Sequence, residues 1–127
     1  ATIAAGAGVL TTVTGAFDAG TVATTTAYVI SGSTAFTEAT LSDALEASGT
    51  HAMKANGAWA LGAEAWLVVY DDNANTYVAS VDAAGAGNGI ANDSVGTAGE
   101  WTVKNIIQLT GMADATAFTT ADFELIA

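Results

Sequence analysis

Ala65-Trp66-Leu67-Val68-Val69-Tyr70, then Asp71-Asp72-Asn73-Ala74-Asn75, then Thr76-Tyr77-Val78-Ala79-Ser80-Val81 is the stretch that decides the fold. Two runs rich in β-branched and aromatic residues flank five residues of turn chemistry, which is the pattern of a β-hairpin. Alternation sends Trp66, Val68 and Tyr70 to one face of the first strand, and Leu67 and Val69 to the other. Apolar residues on both faces place this strand at the centre of a sheet or under a neighbouring subunit.

Outward from the hairpin, the other elements are shorter. Trp101–Leu109 reads as a strand with Val103, Ile107 and Leu109 on one face and Thr102, Lys104 and Gln108 on the other, ended by Gly111. Upstream, Val9–Phe17 and Thr21–Ser31 read as strands around an Asp18-Ala19-Gly20 turn, and Gly57–Leu61 as extended. Thr40-Leu41-Ser42-Asp43 fits a capping box. With Leu41, Ala44 and Leu45 at helical spacing and a stop at Gly49, it predicts one short helix over Leu41–Ser48. The glycine-rich Ala83–Gly99 stretch reads as a long loop, Thr119-Thr120-Ala121-Asp122 as one capped helical turn, and Phe123–Ile126 as a closing strand. The expected fold is therefore mainly β: an antiparallel sandwich or barrel-like domain with one short α-helix, about residues 41–48. No linker or clean repeat divides residues 1–127, so one domain is expected.

Composition narrows the partners. Net charge is -11, and Lys54 and Lys104 are the only basic side chains. Phosphate recognition needs clustered Lys and Arg, so nucleic acid is excluded as a natural partner, and an anionic membrane surface would repel the chain. The absence of Cys rules out disulfides and thiolate metal sites. No apolar run reaches the length of a membrane-spanning helix. The N-terminus at Ala1, without Met or a basic n-region, fits either a removed leader or a fragment.

From about residue 65 onward the chain resembles the C-terminal domains of bacterial type I-secreted, RTX-like and S-layer-type surface proteins. The matching stretches are Trp66-Leu67-Val68-Val69-Tyr70-Asp71-Asp72, Asn75-Thr76-Tyr77-Val78-Ala79, Asn105-Ile106-Ile107-Gln108-Leu109-Thr110-Gly111 and Ala121-Asp122-Phe123. The resemblance implies bacterial-type secretion, an extracellular or cell-surface location and use of calcium. The chain departs from that group in lacking the glycine-rich nonapeptide calcium repeat. Gly85-Ala86-Gly87-Asn88-Gly89 is its nearest echo.

Several constellations are candidate sites. Asp71, Asn73 and Asn75 match the first half of an EF-hand loop, with Asp82 at its twelfth position. Thr76 replaces the required sixth-position Gly, and residues 76–81 read as strand. The calcium set that remains is a non-EF site at the turn, drawn from Asp71, Asp72, Asn73, Asn75 and Asp82, against a plain solvated turn. His51, the only His, reads as a surface or loop residue beyond the helix rather than a catalytic base. Carboxylate pairs such as Asp43 with Glu46 are explained by helix and turn positions, and no catalytic motif is present. Trp59, Trp66 and Trp101 are expected in the core or an interface rather than on a sugar-stacking platform. Asn92-Asp93-Ser94 matches a glycosylation sequon.

These readings lead to a structural protein rather than an enzyme. The expected function is a self-assembling subunit of an extracellular filament, sheath or surface layer, a homopolymer of this chain. Its apolar segment 1–10, with Ile3, Val9 and Leu10 as interface residues, would join a neighbour's sheet edge as an added strand. The alternative is a calcium- or carbohydrate-binding module of a larger secreted protein.

Overall fold

A computed structural model describes residues 9–19, 26–32, 34–55, 65–83 and 99–122. In chain order these form β1 (Val9–Val13), β2 (Phe17–Ala19), β3 (Thr26–Ile30), α1 (Glu38–Leu45), β4 (Met53–Ala55), β5 (Ala65–Asp71), β6 (Asn75–Ala83) and β7 (Trp101–Thr110). Two 3-10 turns follow at Ala115–Ala117 and Thr120–Asp122. The fold is mainly β with one short helix, as the sequence pattern requires.

Strand direction is where the structure departs from expectation. The main sheet has the order β1-β3-β5-β6-β7. β1, β3 and β5 run parallel, and only β5–β6 and β6–β7 are antiparallel pairs. β2 and β4 form a second, two-stranded parallel sheet. The architecture is thus an open mixed sheet rather than an antiparallel sandwich or barrel. Parallel neighbours need long crossovers. The crossover from β1 to β3 carries β2, and the one from β3 to β5 carries α1 and β4. The expected turn at Asp18-Ala19 is strand β2, and the expected strand over 57–61 and the closing strand over 123–126 lie outside the described residues.

The predicted alternation of β5 holds, and each of its faces meets a cover within the same chain. On the first face Trp66, Val68 and Tyr70 join Tyr28, Ile30, Val81, Trp101 and Val103, and Leu41, Ala44 and Leu45 of α1 pack on them with Met53 and Phe36. On the second face Val69 joins Val29 and Val78 beneath Ala115 and Phe118, with Leu10, Leu109 and Met112 packed alongside. Leu41 and Leu45 are fully buried, and each contributes about 1.5–3 kcal/mol by leaving water.

α1 starts and ends three residues earlier than the sequence reading placed it. Thr37 is the N-cap: its hydroxyl accepts from Thr40 N–H, and Thr40 returns the bond to Thr37 N–H. Thr40 therefore closes the capping box instead of opening it. Beyond Glu46 the chain folds back, with Gly49 N–H donating to Glu46 O and His51 N–H to Ala44 O. A Cβ at Gly49 would collide with the Ala44 carbonyl. The helix thus stops at Leu45 with Glu46 as its C-cap, ahead of the stop expected at Gly49, and Gly49 serves the close approach of the following turn to Ala44.

β7 does not follow the single alternation expected of it. Val81 faces Val103 and Ala79 faces Asn105, yet Val78 faces Ile107, so Ile106 is an extra residue opposite the Val78/Ala79 step. This bulge shifts the phase by one. Val103 faces the first core cluster while Leu109 packs on the second.

Candidate functional site

The site that the fold builds is the outer edge of β7. An edge strand presents alternate N–H and C=O groups with no ladder partner, and these must be satisfied or left to another strand. In the first half of β7 and the turn before it, three backbone N–H groups are met by side chains on and just beyond α1. Glu38, Ser42 and Glu46 are spaced four residues apart and line one side of the helix region. Glu46 Oε1 accepts from Gly99 N–H at 2.6 Å, Ser42 Oγ from Val103 N–H at 3.1 Å, and Glu38 Oε1 from Asn105 N–H at 2.7 Å. The helix begins at Glu38, so this cap ends at Asn105.

Past the bulge the edge is bare among the described residues. Ile106 is 59% exposed and Ile107 48% exposed, the two exposed large hydrophobic side chains among the described residues. Gln108 and Thr110 are exposed as well, and Leu109 is half-buried. With Val103 and Asn105 facing outward before the bulge, the one-residue shift turns the main chain of Gln108 and Thr110 outward after it. The segment Ile106–Thr110 has no charge and no Pro, the usual devices that blunt an edge. Lys104, the one basic residue of β7, sits in the capped half and pairs with Asp82 at 3.7 Å.

At the other end of the sheet, β1 is also an edge. Val13 O accepts from Ser31 N–H at 2.9 Å, so Val13 and Thr11 turn toward β3, and the main chain of Leu10 and Thr12 turns away. Val9 and Leu10, expected to leave the domain for a neighbour, are paired with Thr26 and Ala27 of their own sheet. Ile3 lies outside the described residues.

The acidic hairpin turn is organised by backbone amides. Asp71 is buried; its Oδ1 accepts from Asn73 N–H at 3.1 Å and its Oδ2 from Ala115 N–H at 2.9 Å. Asp72 Oδ1 accepts from Ala74 N–H and Asn75 N–H, and Oδ2 accepts from the Tyr77 hydroxyl at 2.8 Å. The Tyr77 hydrogen bond, followed by the Asn75 amide, holds the Asp72 carboxyl down at about 2. The same bond raises the Tyr77 hydroxyl. Asn73 takes the left-handed conformation the tight turn requires, with φ of 66°. Asn75 Oδ1 accepts from Gly111 N–H.

The five residues considered for calcium do not converge. Asp82 stands seven residues after Asn75 along an extended strand, opposite Ala65 and Thr102. At about 3.3 Å per residue that is roughly 23 Å away. Among the described residues no group of three or more His, Asp or Glu is placed to hold a metal ion.

His51 sits in the loop after α1, as expected, but is buried there rather than lying on the surface. One ring nitrogen contacts Thr50 Oγ1 at 3.0 Å, the other lies 3.1 Å from Ser31 O, and the ring meets Phe36 edge-on. A carbonyl only accepts, so Nε2 carries the hydrogen. His51 pins the loop after β3 to the turn after α1. Trp66 and Trp101 are buried and meet edge-to-face at 5.4 Å; their ring faces are not offered to a sugar. Trp59 and the Asn92 sequon lie outside the described residues. The carboxylates of Asp43 and Glu46 take separate places: Asp43 is exposed, and Glu46 caps Gly99.

Comparison with known proteins adds no relative. No protein-family model matches the chain, and neither the curated proteins nor the solved structures contain a match. The structure on its own defines a mainly-β protein with a mixed five-stranded sheet. No helix among the described residues is long and apolar enough to cross a membrane.

Sequence reasoning missed the edge cap and the bulge. The four-residue spacing of Glu38, Ser42 and Glu46 is visible in the sequence, but its meaning depends on β7 lying alongside. Ile106-Ile107 is an adjacent apolar pair inside an otherwise alternating strand, and that broken period is the one local sign of the bulge.

Proposed function

We propose that this chain is a self-assembling structural subunit of an extracellular filament, sheath or surface layer. The observation that carries this reading is the unguarded second half of β7, where Ile106 and Ile107 are exposed beside main-chain groups that have no ladder partner among the described residues. Half of one strand is capped by Ser42 and Glu38, and half is left open among the described residues and uncharged. An edge of that kind is a template for another strand. Acidic charge on the rest of the surface keeps free subunits soluble and disfavours contacts elsewhere.

Assembly is tested by light scattering coupled to size-exclusion chromatography and by negative-stain electron microscopy over a wide range of protein concentration, with calcium and with chelator. The expected result is concentration-dependent growth of oligomers that the substitution Ile107→Lys suppresses, with melting temperature maintained. A wild-type chain that stays monomeric throughout overturns the reading.

A further inference from the structure

We infer that copies join head to tail through their two opposite sheet edges, the outer edge of β1 in one copy adding in parallel to the bare half of β7 in the next. The inference rests on the self-assembly reading and specifies its contact.

Strand direction is the first support. β1, β3 and β5 are parallel, and β7 returns to that direction after the antiparallel β6. The two edges of the sheet therefore point the same way. A copy moved along the sheet normal to its strands brings β1 beside β7 in parallel, continuing the ladder without turning the molecule over. The second support is the match between the edges. Leu10 and Thr12 on one, and Gln108 and Thr110 on the other, turn their main-chain groups outward, so each edge offers two residues at the same two-residue spacing.

Charge is the third support. In a chain with 13 acidic residues, neither Val9-Leu10-Thr11-Thr12-Val13 nor Ile106-Ile107-Gln108-Leu109-Thr110 contains one. Like-charge repulsion between copies is lowest where these two stretches meet. A contact between two unlike surfaces does not close on itself by a two-fold axis and generates an open array. It is also short, five residues on either side, so the array should lengthen with protein concentration.

The chain has no Cys, so introduced thiols report without background. Thr11 shares the face of Val13 and Gln108 the face of Tyr77, both toward the first core cluster, so Thr11→Cys/Gln108→Cys, Thr11→Cys and Gln108→Cys are each treated with a short bismaleimide at a concentration where the wild type assembles. Both positions are exposed, and circular dichroism confirms that the variants match the wild-type fold. The double variant is expected to give a covalent ladder of dimers, trimers and higher species on denaturing gels, and each single variant only monomer. A covalent dimer from Gln108→Cys alone means two β7 edges meet in a closed pair, which overturns the inference. Assembly of the double variant without a ladder overturns it too. Both outcomes leave self-assembly standing, whereas a wild type that never assembles removes both.

Discussion

The Asp71 carboxylate accepts the backbone N–H of Ala115 at 2.9 Å, tying the hairpin turn to a segment 44 residues downstream. The contact is buried, and it brings Ala115 and Phe118 over Val29, Val69 and Val78. An acid that reads locally as a turn residue thus anchors the cover of the second sheet face.

Asp71→Ala should therefore destabilise the fold out of proportion to its place in a turn. It leaves the Ala115 N–H buried without a partner, a loss of about 1–3 kcal/mol. Urea unfolding measures this, and increased hydrogen exchange at residues 112–118 should accompany it. A change confined to residues 71–75 would refute the anchoring role.

Because the turn carboxylates are spent on amides and a hydroxyl, the hairpin should not require calcium. Melting temperature is expected to be the same in excess calcium and in chelator. A calcium-dependent rise that Asp72→Asn abolishes would show that the turn binds the ion after all.

Acid should weaken the turn within a defined window. The Asp72 carboxyl is held at about 2, below the ordinary aspartate value of roughly 3.9. A depressed folded-state value contributes stability that is present above the ordinary value and lost as pH falls through the folded one. Asp114 and Asp122 are lowered in the same direction by Thr116 and Thr119. The urea midpoint should hold to about pH 4 and fall toward about pH 2, and Asp72→Asn should flatten part of that slope.

The helix-side cap gives an independent test. Ser42→Ala removes the acceptor of the Val103 N–H and should cost about 1–2 kcal/mol. Glu38→Ala uncovers more of β7 and Glu46→Ala frees the turn that leads into it, so each should promote oligomer growth where Ile107→Lys suppresses it. Light scattering on the four variants reads this opposition directly.

Gly49→Ala should be among the most damaging small substitutions. The added methyl meets the Ala44 carbonyl, and displacing a backbone turn that also carries His51 costs about 1–3 kcal/mol. Thermal melting checks it; Gly15→Ala, where a Cβ has open space around it, serves as the control.

What the sequence determined by itself was local. Alternation at Trp66–Tyr70 named the central strand, Asp71–Asn75 named the turn, and the Leu41, Ala44, Leu45 stripe named the helix that covers one face. Each is a short-range pattern whose period equals the geometry it produces. Tertiary structure alone decided strand direction, because a parallel and an antiparallel strand bury the same alternating residues. It also decided which acids act as anchors, since the amide that Asp71 serves lies 44 residues away. The division of β7 at Ile106 into a capped and an open half was settled the same way. Its cause is the length of α1 alongside the strand, a relation between two segments more than 60 residues apart that no window along the chain contains.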